Sequence, residues 1–129
     1  MTNLLFPGLM AVGVGGALGS MARWLCTLWL NPLGLPFVAG TLAVNCVGGL
    51  LIGASLVWLE RFPNDVLRLA LVTGGLGGLT TFSAFSAESL MLLVRGQFPL
   101  AVAHTLAHVL GGLGFAALGW WLARQVLAG

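Results

Sequence analysis

The sequence predicts an all-α integral membrane protein of four transmembrane helices, the third of them broken mid-membrane. Three observations carry that expectation: scarce charge, four apolar stretches long enough to cross a bilayer, and short turns between them. Only 6% of the 129 residues are charged and 59% are hydrophobic, whereas a soluble domain carries about 25% charged residues. Five arginines, no lysines and three carboxylates cannot clothe a water-soluble surface of this size. A mean hydropathy of +1.06 points the same way. The net charge of +2 lacks the clustered cations of a nucleic-acid binder, so no such partner is expected. The length suits one domain, residues 1–129.

A membrane helix needs about 20 mostly apolar residues. The first span, Leu4–Leu30, lacks a charged leading region and a cleavage site, and reads as a retained helix. Asn31, Pro32 and Pro36 bound the first turn, because proline cannot continue a helix. The second span, Phe37–Leu59, carries Thr41 and Asn45 one turn apart, with Gly49 and Gly53 on the same stripe. Arg61 to Asp65 form the next turn, where Asn64 or Asp65 can cap the third helix. The third span covers Val66–Val94, and Arg95 to Pro99 turn the chain into the fourth, Phe98–Leu127. Trp24, Trp29, Trp58, Trp120 and Trp121 fall near span ends, at headgroup level. Continuous apolar runs argue against a β-barrel, whose strands alternate in polarity.

Charge leaves orientation open. Arg61, Arg68 and Arg124 fall on one side, and Arg95 on the other, joined by Arg23 if its side chain snorkels outward. Either one extra arginine orients the chain, or both orientations insert and pair as an antiparallel dimer. Gly15 and Gly19, Gly49 and Gly53, and Gly74 and Gly78 have the small-xxx-small spacing that lets helices approach closely in lipid. Cys26 and Cys46 have no metal-ligand spacing and read as small packing residues.

Chemistry concentrates in the third span. Gly74, Gly75, Gly77 and Gly78 weaken a continuous helix by about 1 kcal/mol each. Carbonyls freed by a break there would suit a cation, particularly with a matching set from a two-fold partner. A phosphate loop is excluded, since the lysine that should follow is absent. Ser83 and Ser86 share one helical face, as do Phe82 and Phe85. Glu88, seven residues beyond Thr81, is the one acid well inside a span and a functional candidate by default. The fourth span adds His104 and His108, one turn apart, beside Thr105. Polar residues in three helices point to a shared polar path.

The strings at 40–45 (Gly-Thr-Leu-Ala-Val-Asn) and 77–88 (Gly-Gly-Leu-Thr-Thr-Phe-Ser-Ala-Phe-Ser-Ala-Glu) closely resemble the signatures of the Fluc (CrcB) fluoride channels. Gly15 to Gly19 with Arg23 is similar to that family's first-helix motif. The resemblance implies an antiparallel dual-topology homodimer in the cell inner membrane, with two pores, each lined by both subunits. It implies a structural sodium ion at the dimer centre, on the backbone carbonyls of Gly77 and Thr80. It places Asn45, Phe82 and Phe85 against the permeating fluoride, and Thr81, Ser83 and Glu88 along the polar lining. The fourth helix departs from the family, which usually has Tyr or Ser where this chain places His104 and His108. Residue chemistry agrees: amide and hydroxyl groups donate to an anion, and a phenyl ring offers it a positive edge.

The main rival is a small four-helix multidrug/proton exchanger, but that class needs a glutamate in the first span, which has none. A non-transporting assembly factor would have no need of polar residues in three spans. A histidine-based metal transporter would rest on His104 and His108 alone. No nucleophile with base and orienting group is visible, so enzyme activity is not expected.

Overall fold

The computed structural model describes residues 2–35 and 38–128, and every regular element in it is helical. Helix α1 spans Thr2–Leu30 and ends in a tight 3-10 turn, Asn31–Leu33, closed by Gly34 at φ 69°. Pro36 and Phe37, expected to bound that turn and begin the second span, lie outside the described residues. Helix α2 spans Ala39–Arg61. Helix α3 covers 65–79, α4 spans Phe82–Val94 and α5 spans Phe98–Ala128. Four segments are long and apolar enough to cross a membrane: Leu4–Leu33, Ala39–Arg61, Asp65–Val94 and Phe98–Leu127. The third of these joins α3 and α4.

Local chemistry fixes the ends. Asn64 caps α3, its Oδ1 accepting from Leu67 N–H at 2.9 Å, which settles the choice between Asn64 and Asp65. Asn31 Oδ1 accepts from Gly40 N–H at 3.0 Å and ties the first turn to the start of α2. Arg61 donates to the Leu127 carbonyl, so the second turn and the end of α5 share one end of the bundle. Arg124 sits 4.7 Å from the Trp120 ring centre, a cation–π contact at that end.

Packing follows the glycine stripes. A Cβ built at Gly15 or Gly19 of α1 would overlap the backbone of Ala70 or Gly75, and at Gly74 or Gly78 of α3 that of Val12 or Gly16. Gly49 and Gly53 of α2 meet Gly112 and Ala116 of α5 in the same way. Backbones therefore touch along α1–α3 and α2–α5, as small-xxx-small spacing requires. Few large apolar side chains are buried, and most are exposed, the arrangement a lipid solvent selects.

The glycine-rich stretch behaves differently from expectation. Gly74, Gly75, Gly77 and Gly78 stay helical, with wide i→i+5 turns through Leu69–Leu76; Gly77 N–H reaches the Val72 carbonyl. The extended residues come just after, Thr80 at φ −84°, ψ 156° and Thr81 at φ −150°, ψ 118°.

Candidate functional site

Two extended residues redirect a run of backbone hydrogen bonds. In a continuous helix Thr81 N–H would bond the Gly77 carbonyl. It instead donates to Asn45 Oδ1 at 2.8 Å, while Asn45 Nδ2 donates to the Thr81 carbonyl at 3.1 Å. Ala84 N–H would bond the Thr80 carbonyl, but goes to Thr81 Oγ1 at 3.1 Å, an N-cap for α4. The carbonyls of Gly77 and Thr80 thus lose their intrahelical donors. The Gly78 carbonyl accepts from Arg23 Nε at 3.0 Å. Arg23 is therefore turned into the bundle, where the charge count had allowed it to snorkel outward. Gly48 leaves room for the Thr80 side chain, which a Cβ there would overlap.

Asn45, Thr80, Thr81, Phe82, Phe85 and His108 line an open groove of about 480 Å³. Phe82 is 78% exposed, with its ring centre 5.4 Å from that of Phe85. Phe85 in turn lies 5.6 Å from His104, nearly parallel, and 4.8 Å from His108. Asn45 fixes the tautomer of His108. The Thr81 backbone dictates which end of the amide is oxygen, so Nδ2 faces His108 Nδ1 at 3.1 Å. An amide N–H can only donate there, so Nδ1 accepts and the ring proton sits on Nε2. His108 is 6% exposed, and Nε2 has no hydrogen-bond partner among the described residues. A buried N–H without an acceptor is costly unless something else occupies its position.

A second cavity, of about 450 Å³, is lined by Asn31, Glu88, Met91, Arg95 and His104 among others. Glu88 is gripped from two helices: Thr41 Oγ1 donates to Oε1 at 2.5 Å, and His104 Nε2 stands 3.1 Å from Oε2. His104 is fully buried, with Nδ1 2.9 Å from Ser89 Oγ. The ring centres of His104 and His108 are 4.5 Å apart. The walls of the two cavities therefore meet at Phe85, His104 and His108.

Of the residues singled out from the sequence, Asn45, Thr81, Phe82, Phe85 and His108 come together on the groove, and Glu88 with His104 on the second cavity. Ser83 Oγ lies 3.2 Å from Thr81 Oγ1, outside the lining of either. Ser86 bonds back to the Phe82 carbonyl at 2.8 Å, the usual fate of a helical serine. Gly77 and Thr80 lie at the groove with their carbonyls released. Ser89 and the cavity position of Arg95 stand outside the polar motifs of the sequence; Ser89 lies one helical turn beyond Phe85, which is the signal that finds it.

The sequence profile of the family described as CrcB-like protein, Camphor Resistance (CrcB), matches residues 10–120. A relative from Aromatoleum aromaticum is 51% identical over 116 residues, covering 88% of each chain. One from Bordetella petrii is 48% identical over 122 residues, covering 92% of this chain and 94% of the relative. One from Escherichia coli is 43% identical over 116 residues, covering 88% and 91%. All three bear the name fluoride-specific ion channel FluC. With the profile covering most of its length and relatives near half identical, the chain belongs to the CrcB-like family.

Proposed function

We propose that this protein is a fluoride-selective channel of the cell inner membrane that lets cytoplasmic fluoride leave passively. The observation that carries the reading is the junction of the two cavities at Phe85, His104 and His108, in a chain whose relatives bear the name of fluoride channels. The α1 helix has no acidic residue for proton exchange. Glu88 is held by Thr41 and His104, which fits a lining role better than a coupling site.

Fluoride binds its water tightly, so the route must replace that water with donors without trapping the ion. His108 Nε2–H is a buried donor with no partner among the described residues, and Thr81 lines the same groove, its hydroxyl 3.2 Å from that of Ser83. Phe82 and Phe85 offer ring edges, which carry partial positive charge. Asn45 works at one remove, holding Thr81 in place and setting which nitrogen of His108 carries the proton. Arg95 at the second cavity attracts anions toward Glu88 and His104, and a full charge at the mouth leaves the interior weakly binding.

The functional unit is an antiparallel dual-topology homodimer. Support comes from the open side of the groove and from Phe82, too exposed to be finished by its own chain. With Arg23 turned inward the arginines stand three against one, so support for both orientations comes from the groove and not from charge. Two pores, each walled by both subunits, follow from that symmetry. On this reading Thr80 and Thr81 lie at mid-membrane depth, where freed carbonyls are tolerated only if something binds them. The Gly77 and Thr80 carbonyls, repeated by the two-fold, suit a sodium ion, a hard cation that prefers oxygen ligands. When bound it would supply a fixed positive charge joining the two copies.

Fluoride efflux from liposomes holding the purified protein tests the reading, with chloride and a drug cation as controls. Rapid fluoride efflux without chloride efflux supports it. Proton-driven export of the drug cation would favour the exchanger.

A further inference from the structure

We propose that Glu88, His104 and His108 form a binding site for a divalent transition-metal cation of the Zn²⁺ class. His104 and His108 are one turn apart on α5, so both imidazoles leave the same face. Glu88 of α4 closes the third side. One ligand atom from each lies within 4.8 Å of the other two. Around tetrahedral zinc with bonds of about 2.0–2.1 Å, ligand atoms stand about 3.3 Å apart. His104 Nε2 and Glu88 Oε2, at 3.1 Å, are already close to that separation. The widest pair must draw in by at most about 1.5 Å.

The donor set decides the class of ion. Two imidazoles and one carboxylate with an open fourth position suit zinc and its neighbours, whereas calcium and magnesium demand oxygen throughout. Arg95, lining the adjoining cavity, repels cations held by charge alone and leaves the advantage to ions that form coordinate bonds.

Supporting groups are in place. Thr41 Oγ1 holds the Glu88 oxygen that faces away from His104. Ser89 Oγ, beside His104 Nδ1, can donate or accept, so it suits the tautomer that frees Nε2 for a metal. His108 Nε2 is buried with no hydrogen-bond partner among the described residues. Metal at that nitrogen puts the ring proton on Nδ1, so the imidazole must turn Nδ1–H away from the Asn45 amide, whose two bonds to Thr81 stay intact.

If the channel reading holds, on which this clause rests, the bound ion sits where the two cavities meet. Its open coordination position captures fluoride instead of passing it on, and zinc blocks flux.

Binding is tested apart from transport. Purified protein is titrated with Co²⁺ as an optical probe and with Zn²⁺ by calorimetry, alongside His104→Gln, His108→Gln and, as a gentler change, Glu88→Gln. The expected result is visible tetrahedral Co²⁺ absorption that Zn²⁺ displaces and Mg²⁺ does not. Each variant that elutes as folded protein should bind Zn²⁺ at least about tenfold more weakly. No binding at roughly 100 μM Zn²⁺, or binding that all three variants leave unchanged, overturns the site. In liposomes, Zn²⁺ should slow fluoride efflux of the parent at least about tenfold. Zinc that binds without slowing efflux overturns the block. A parent silent toward fluoride in zinc-free buffer overturns the channel reading, while the Co²⁺ spectrum still decides the metal site.

Discussion

Asn45 holds Thr81 by both ends of its amide, accepting from the backbone N–H at 2.8 Å and donating to the carbonyl at 3.1 Å. One side chain on α2 thus replaces the hydrogen bonds that extended backbone gives up between α3 and α4. Asn45→Leu keeps the approximate volume but leaves two part-buried peptide groups unpaired, at about 1–3 kcal/mol each. Thermal unfolding in detergent should show a clear loss of stability, and fluoride flux should fall with it. Asn45→Asp keeps the acceptor for Thr81 N–H but sets a carboxylate oxygen against the Thr81 carbonyl and His108 Nδ1, so it should destabilise as well.

Phe82 and Phe85 separate packing from conduction. Phe82 is 78% exposed, so Phe82→Ile should leave the stability of the single chain almost unchanged. Phe85 touches both histidines, and Phe85→Ile should cost about 1 kcal/mol by losing aromatic contacts. Fluoride flux should fall at least about tenfold in each, roughly 1.4 kcal/mol on the barrier. If the rings merely pack, the Phe82 variant conducts at the parent rate.

The glycine contacts are testable by one methyl group. A Cβ at Gly53 overlaps the Ala116 carbonyl, whereas Gly114 has open space around it. Gly53→Ala should force α2 and α5 apart and destabilise by at least about 2 kcal/mol. Gly114→Ala should be neutral or slightly stabilising, through better helix propensity. Unfolding temperatures of the two variants make the comparison.

Span limits and glycine stripes were legible in the sequence because length, proline and small-residue spacing act locally. The capping choice at Asn64 and the meeting of Phe82 with Phe85 are local too. The partners of the polar residues were not legible. Helices apolar on every side carry no stripe to show which face meets which neighbour. The pairing of Glu88 with Thr41 and His104, and of Arg23 with the Gly78 carbonyl, therefore depends on tertiary placement. The four glycines suggested a break within themselves. The geometry moves the extended residues to Thr80 and Thr81, where Asn45 supplies replacement bonds that sequence spacing alone does not reveal.

Dual topology predicts a complementation result. Two lysines added to the turn at 62–64 should fix one orientation and abolish fluoride flux from cells expressing that copy alone. Co-expression with a copy biased the opposite way should restore it. Full flux from the fixed-orientation copy alone would contradict an antiparallel pair.

If an anion route passes the junction of Phe85, His104 and His108, fluoride efflux from liposomes carrying His108→Leu must show it. Leucine fills much of the space but removes the buried Nε2–H donor. The variant should remain folded, with fluoride efflux lowered at least about tenfold relative to the parent. Efflux at the parent rate from folded His108→Leu protein would show that the ion does not pass this junction.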